Sequence, residues 1–473
     1  LPSPGAEALF LWAESLAALG QPERALPHYQ VVPEGDFSNL AAVGEARSLR
    51  ALGRLPEARE RLAARLARSP GVPEAALELA EMKLESGQAR EALDLLASVS
   101  GASRDQMGRA EYLTGRALLV SDDPVQAEVR LAALLPHAPA DLAADVAVTL
   151  AESQIRQKQS GEAEKTLEDF IEERYRLPGL PGVFAALDRI YAIQGGASST
   201  ELRRWSEDVK DPGRSALALF YLARNEARSG KGETSRELYG QFLARHSGHP
   251  LAASAREELA AALLAANLPA DALKVAVSGS GARMLYLRGQ AQAVLGDYPA
   301  AAASFLEASA DTALSRSALT NSAVCALLSG APDAQNPALQ KLLEDPDGRD
   351  IVERIVYFSA LNEAAQRKPG AAESFRRIAE GGSHYAQRAR LALAEWNALQ
   401  GDAESAKNEL RRISSDDPAT RERSDYLALF LADTGDPETD PQVGKMAEAF
   451  LAAYPASSFE PEVRMKLGEM LYR

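Results

Sequence analysis

Leu287-Arg288-Gly289-Gln290-Ala291-Gln292-Ala293-Val294-Leu295-Gly296-Asp297-Tyr298-Pro299-Ala300-Ala301 is the stretch that decides the fold of this 473-residue chain. Leu285, Gly289, Gln292 and Leu295 fall at helical spacing, and Gly296-Asp297-Tyr298 then makes a turn. Ala301, Phe305 and Ala308 follow at i, i+4 and i+7 on one face of a second helix. The glycine supplies the positive φ that ends the first helix. Gly289 and Ala301 are small because neighbouring helices must approach closely there. Reduced to a rule, a small residue is followed seven positions later by glycine and five later again by alanine.

The rule recurs as Ala13, Gly20, Ala25; as Ala46, Gly53, Ala58; and as Ala80, Gly87, Ala92. Gly20, Gly53 and Gly87 are 33 and 34 apart, Gly296 and Gly330 are 34 apart, and so are Gly401 and Gly435. Gly230 to Gly296 is 66, two intervals of 33. Substituted forms run from Gly115 to Ala127, from Ala151 to Ala163 and from Ala260 to Ala272. Pro70, Pro139, Pro250, Pro418 and Pro455 stand where a second helix should stop. A fixed period of this length is the signature of a stacked array. Each unit buries its apolar face only against its neighbours, and the stack curves. The expectation is therefore all-α: an α-solenoid of about twelve helix-turn-helix repeats forming a curved superhelix.

Composition agrees. Hydrophobic residues are 46% and charged residues 25%, which suits a folded chain. Aromatics are only 6%, and an alanine- and leucine-rich apolar share favours close helices over a β-sandwich. The net charge of −15 argues against nucleic acid as the main partner. The single cysteine, Cys325, reads as a small buried hydrophobe. No run of 18 apolar residues occurs, so no transmembrane helix is expected. The opening Leu1-Pro2-Ser3-Pro4-Gly5 looks like a processed or trimmed terminus.

The period, the small residue in the first helix, Leu-Gly before the turn and the Ala/Phe/Ala spacing resemble the tetratricopeptide repeat family. The match is strong at 6–100, 215–310 and 385–436 and weak at 176–212 and 331–372. Arg176-Leu177-Pro178-Gly179-Leu180-Pro181-Gly182 and Gly195-Gly196-Ala197-Ser198-Ser199-Thr200 interrupt it. The expected division is an array over 1–175, an irregular joint or degenerate repeat over 176–212, and a second array over 213–473. Phe450-Leu451-Ala452-Ala453-Tyr454-Pro455-Ala456-Ser457-Ser458 is similar to a phrase in bacterial envelope-associated members. A periplasmic or envelope location is the expectation, with the cytoplasm as the alternative.

The resemblance implies that first helices line a concave face and bind peptides or protein segments. Positions around the first-helix small residue give Arg109, Tyr112 and Arg116; Leu217, Phe220, Arg224 and Arg228; and Arg283, Tyr286 and Gln290. Arginine with aromatics forms interaction hot spots, and a basic groove would suit an acidic peptide or a C-terminal carboxylate. Arg and Tyr also serve merely to cover neighbouring apolar surface. The last helix, Val463 to Tyr472, is expected to expose Met465, Leu467, Met470 and Leu471, which would favour self-association through terminal repeats.

No chemistry declares itself. His246 and His249 share helical spacing but lack carboxylates or cysteines nearby, so no metal is expected. Asp433 to Asp440 is acidic without the alternation of a calcium loop. Gly279-Ser280-Gly281 lacks the order of a nucleophile elbow, and no glycine-rich phosphate cradle follows a strand. The reading is a non-catalytic scaffold without a cofactor, binding a protein or peptide within a bacterial envelope complex. The alternatives are a self-assembling or assembly-factor subunit and a cell-wall or carbohydrate-binding subunit. Trp12, Trp205 and Trp396 lie too far apart in sequence to build a sugar platform.

Overall fold

The computed structural model describes residues 5–196, 199–208, 210–330, 336–345, 347–381, 384–414 and 416–472. Leu1 to Pro4, and Ala197 and Ser198 of the interrupted stretch, lie outside the described residues. Contacts divide the chain into Leu1–Ala252 and Ala253–Arg473. No strand occurs among the described residues. The fold is an all-α solenoid of helix pairs.

The first unit pairs α1 (Ala6–Ala18) with α2 (Pro22–Gln30), α3 (Ser38–Ala51) with α4 (Leu55–Arg68), and α5 (Pro73–Glu85) with α6 (Ala89–Ala97). It continues with α7 (Arg104–Val120) and α8 (Pro124–Leu134), then α9 (Ala143–Arg156) and α10 (Ser160–Arg174). Next come α11 (Leu180–Ile193) and α12 (Thr200–Ser206), then α13 (Pro212–Arg228) and α14 (Gly232–Arg245). The stretch 176–212 thus lies inside this unit. Its α11 and α12 deliver Phe184 and Trp205 to the core, ring to ring at 5.9 Å.

The second unit opens in α15 (Ala252–Ala265), followed by α16 (Pro269–Val277), α17 (Ala282–Val294) and α18 (Tyr298–Ala308). Then come α19 (Ser315–Leu328), α20 (Pro337–Leu342), α21 (Gly348–Ala365) and α22 (Gly370–Glu380). The remainder is α23 (Ala386–Leu399), α24 (Ala403–Arg411), α25 (Pro418–Ala432), α26 (Asp440–Ala453) and α27 (Glu460–Tyr472). The described residues therefore form thirteen pairs and a closing helix, where the period suggested about twelve units.

The turn glycines do what the sequence asks of them. Gly20, Gly53, Gly87, Gly296, Gly330 and Gly401 all have φ between 71° and 87°. Where the rule is substituted, the left-handed conformation persists without glycine, at Asp122, Lys158 and Asn267. Each of these sits seven positions after the small residue of its unit. The alanines of the second helices, such as Ala25, Ala58, Ala92, Ala127, Ala163 and Ala301, are wholly buried. Close approach explains the small residue of the first helix too. A Cβ on Gly289 would meet the Phe305 ring at 2.9 Å, and one on Gly115 would meet Leu131 at 2.6 Å.

Second helices start on prepared ends. Asp123, Asp297 and Asp402 accept the N–H groups of Gln126, Ala300 and Ser405, satisfying donors that a helix start leaves open. The closing helix α27 departs from expectation. Met465 and Leu471 are exposed, but Met470 is buried and Leu467 is partly covered against Leu429, Val443 and Phe450. The reason is that α27 lays one face on α26 and turns only the other outward.

Candidate functional site

First helices stand beside first helices: α3 against α5, α5 against α7, α9 against α11, α11 against α13, and α19 against α21. Side chains on this row therefore meet partners one repeat away. Arg47 of α3 donates to Glu78 of α5 at 2.7 Å, and Arg109 of α7 reaches the same carboxylate at 3.3 Å and Glu81 at 2.6 Å. Glu78 is buried, so both guanidinium groups are needed to hold its charge. Arg109 is thus part of an inter-repeat lattice. Tyr112 is half-buried, burial pushes its phenol up, and the Arg116 guanidinium lies 5.7 Å from its ring centre. Arg116 has no ion pair among the described residues.

The second expected group is consumed further. Asp188 of α11 is only 6% exposed and faces two arginines of α13. Arg228 grips it with both nitrogens, at 2.6 and 2.9 Å, and Arg224 adds a contact at 3.1 Å. Phe220 is 1% exposed, with Tyr239 and Phe242 of α14 at 5.9 and 5.7 Å, and Leu217 is buried beside it. Neither reaches a surface that a partner could touch. A helical face with long side chains at every fourth position looks like a lining in sequence; here the ring turns inward and its neighbouring arginine covers it at 4.9 Å.

In the second unit, Tyr286 rests on Phe305 at 5.2 Å and its hydroxyl accepts from Asn321 Nδ2 at 2.9 Å. Gln290 is half-buried, and Arg283 is exposed 5.9 Å from the Tyr286 ring centre. Of the five expected arginines, Arg109, Arg224 and Arg228 are ion-paired within the chain. Arg116 and Arg283 are the two of the five without an ion pair among the described residues. In the first unit the row is a charge-compensated face more than a basic groove.

The sequence reading missed a cleft of about 430 Å³ between α19 and α21. Val324, Leu327 and Leu328 form one wall; Ile355 and Phe358 form the other. Three of these are open to solvent: Val324 at 38%, Leu328 at 49% and Phe358 at 56%. Arg354, Asn362 and Gln366 continue the line of Phe358 along α21, and Lys368 stands at the end. A scan for exposed large apolar residues at i and i+4 on first helices would have found Val324 and Leu328.

Two family models described as tetratricopeptide repeat match the sequence, one over residues 49–117 and the other over 220–277 and 286–349. The matched spans run from the end of α3 into α7, from within α13 through α16, and from within α17 to the first residues of α21. The chain carries tetratricopeptide repeats over these residues. No curated protein sequence matches it. A chain of the APC/C hetero-tetramer Cut9-Hcn1 is similar, at 12% identity over 98% of this chain and 96% of that one, with a TM-score of 0.27. A tetratricopeptide repeat protein from Parabacteroides merdae is similar at 13% identity, covering 67% of this chain and 98% of its own, with a TM-score of 0.33.

The remaining candidates of the sequence are packed or hydrogen-bonded within the repeats. His246 and His249 both edge the Phe242 ring at 5.6 Å, and burial holds both imidazoles below their ordinary value. Among the described residues no group of three or more His, Cys, Asp or Glu is placed to hold a metal. In the acidic turn, Asp433 accepts from the Gly435 amide and pairs with Lys466, and Asp436 accepts from the Glu438 amide. Burial pushes the Cys325 thiol up, which suits an inert core residue. Trp205 is buried and Trp12 stacks on His28 at 4.3 Å. Among the described residues no helix is long and apolar enough to cross a membrane.

Proposed function

We propose that this tetratricopeptide protein is a non-catalytic scaffold that binds a protein partner through the face made by its first helices. Repeats of this family point to protein interaction. The observation that carries the finer reading is the α19/α21 cleft, where three large apolar side chains from two neighbouring first helices stay open around one hollow. Exposed apolar groups ringed by polar ones mark docking surfaces in folded chains. A bacterial envelope complex is part of the proposal, supported by the likeness of residues 450–458 and tested by fractionating cells.

The test is affinity capture from native lysate with variants chosen to spare the fold. Reversing Arg224 and Arg228 would leave Asp188 buried among acids, so a lost partner would report unfolding. Arg116→Glu with Arg283→Glu alters the first-helix face without breaking an ion pair. The control is Arg90→Glu on the second helix α6, an exposed position. A partner lost only with the first pair supports the proposal. A partner lost only with Arg90→Glu, or kept by both, moves the interface elsewhere.

A further inference from the structure

We infer that the α19/α21 cleft receives an extended segment of a partner protein carrying a carboxylate two residues before a large apolar side chain, an inference that rests on the first-helix reading above. The floor is apolar and open, made by Val324, Leu328 and Phe358. Its volume of about 430 Å³ is that of a small-ligand hollow, whereas a whole helix about 10 Å across needs a trough. One large side chain of a visiting segment therefore fits.

Charge fixes what flanks that side chain. Arg354 is exposed, lines the cleft, and has no ion pair among the described residues. In the first unit, by contrast, the first-helix residues Arg109, Arg224 and Arg228 are each matched by an acid one repeat away. The one carboxylate of the lining, Glu363, lies nine residues farther along α21, roughly 13 Å down the axis, and does not neutralise it. An unpaired guanidinium beside an apolar floor in a chain of net charge −15 is the complement of a carboxylate on the visitor.

The spacing follows from helix and strand geometry. Arg354 precedes Phe358 by one turn, about 6 Å along α21, and two residues of an extended chain cover about 6.6 Å. Asn362 and Gln366 prolong the same line by four and eight residues. Their amides donate and accept, which suits the unpaired backbone of an extended visitor. From Arg354 to Gln366 the line runs about 18 Å, room for five or six extended residues.

The experiment uses the full chain and two fluorescein-labelled peptides, Gly-Ser-Asp-Ser-Phe-Ser-Gly and the same peptide with Lys for Asp, read by anisotropy. The wild type is expected to favour the Asp peptide by about tenfold. Arg354→Glu should reverse that preference, and Phe358→Ser should weaken both peptides. Both side chains are exposed, so each variant should keep the wild-type thermal transition. Equal affinity for the two peptides, no saturable binding of either, or indifference to Phe358→Ser overturns the inference. So does a dimer in sedimentation that Phe358→Ser dissolves, because a second copy would then be the occupant. If a captured partner is lost with Arg116→Glu and Arg283→Glu while the Asp peptide does not bind, the first-helix reading stands and the cleft assignment falls. If neither binds, both fall.

Discussion

Lys158 holds φ at 64° with a full side chain, a conformation that costs an L-residue roughly 1–2 kcal/mol. The corresponding turn after α5 uses Gly87, whose missing Cβ would meet nothing within 4 Å. Backbone conformation alone thus separates the two positions. Lys158→Gly should stabilise the first unit, and Gly87→Ala should destabilise it, each by about 1 kcal/mol in urea denaturation. Opposite signs are the point; a destabilising Lys158→Gly would mean that its side chain matters more than its turn. Asp188 is the other decisive single position. Arg224→Glu with Arg228→Glu should cost about 3 kcal/mol, because a buried carboxylate loses its partners and gains like charges. A stability within a few tenths of wild type would show that Asp188 is solvated in solution.

Helix pairs explain what the sequence could and could not reveal. Gly289 was legible as a point of close approach and Phe305 as part of the second-helix face, because both belong to one repeat and recur at fixed spacing; that the two meet came from the structure. Gly289→Ala should cost about 1–3 kcal/mol by pushing a Cβ into the Phe305 ring, and Phe305→Leu in the same chain should recover part of that loss. Additive losses in the double variant would refute the contact. The partners of Arg109, Arg224 and Arg228 were not legible, since they sit 28 to 40 residues upstream, on the preceding first helix. Periodicity places a side chain on a helix and says little about its depth, and so Phe220 was expected at the surface. The cleft escaped for the opposite reason: Val324 precedes, and Phe358 lies within, the stretch where the repeat pattern is weakest. At the end of α14, His246 and His249 titrate below the ordinary imidazole range because burial disfavours their charge. The folded state then binds fewer protons than the unfolded one just below pH 6.5. Stability is present above that pH and is lost as pH falls through the depressed values. His246→Asn with His249→Asn should flatten this dependence between about pH 5 and 7 in thermal melts.

Over the whole molecule, helices in substantial contact are first or second neighbours along the chain. Stability is then a sum of repeat and interface contributions. Amide exchange should be fast in α1 and α27, which bury two residues each, and slow in helices such as α13, where Leu217 to Ala223 are all buried. Uniform protection from α1 to α14 would instead require the first unit to open only as one cooperative block. The same locality bears on biosynthesis. A ribosome adding roughly 5–20 residues per second delivers one 34-residue unit every few seconds, while helices form in about a microsecond. Each pair can therefore dock on the one before it as soon as it clears the exit tunnel. Sticky surface on the nascent polypeptide stays confined to its growing tip, however long the finished array.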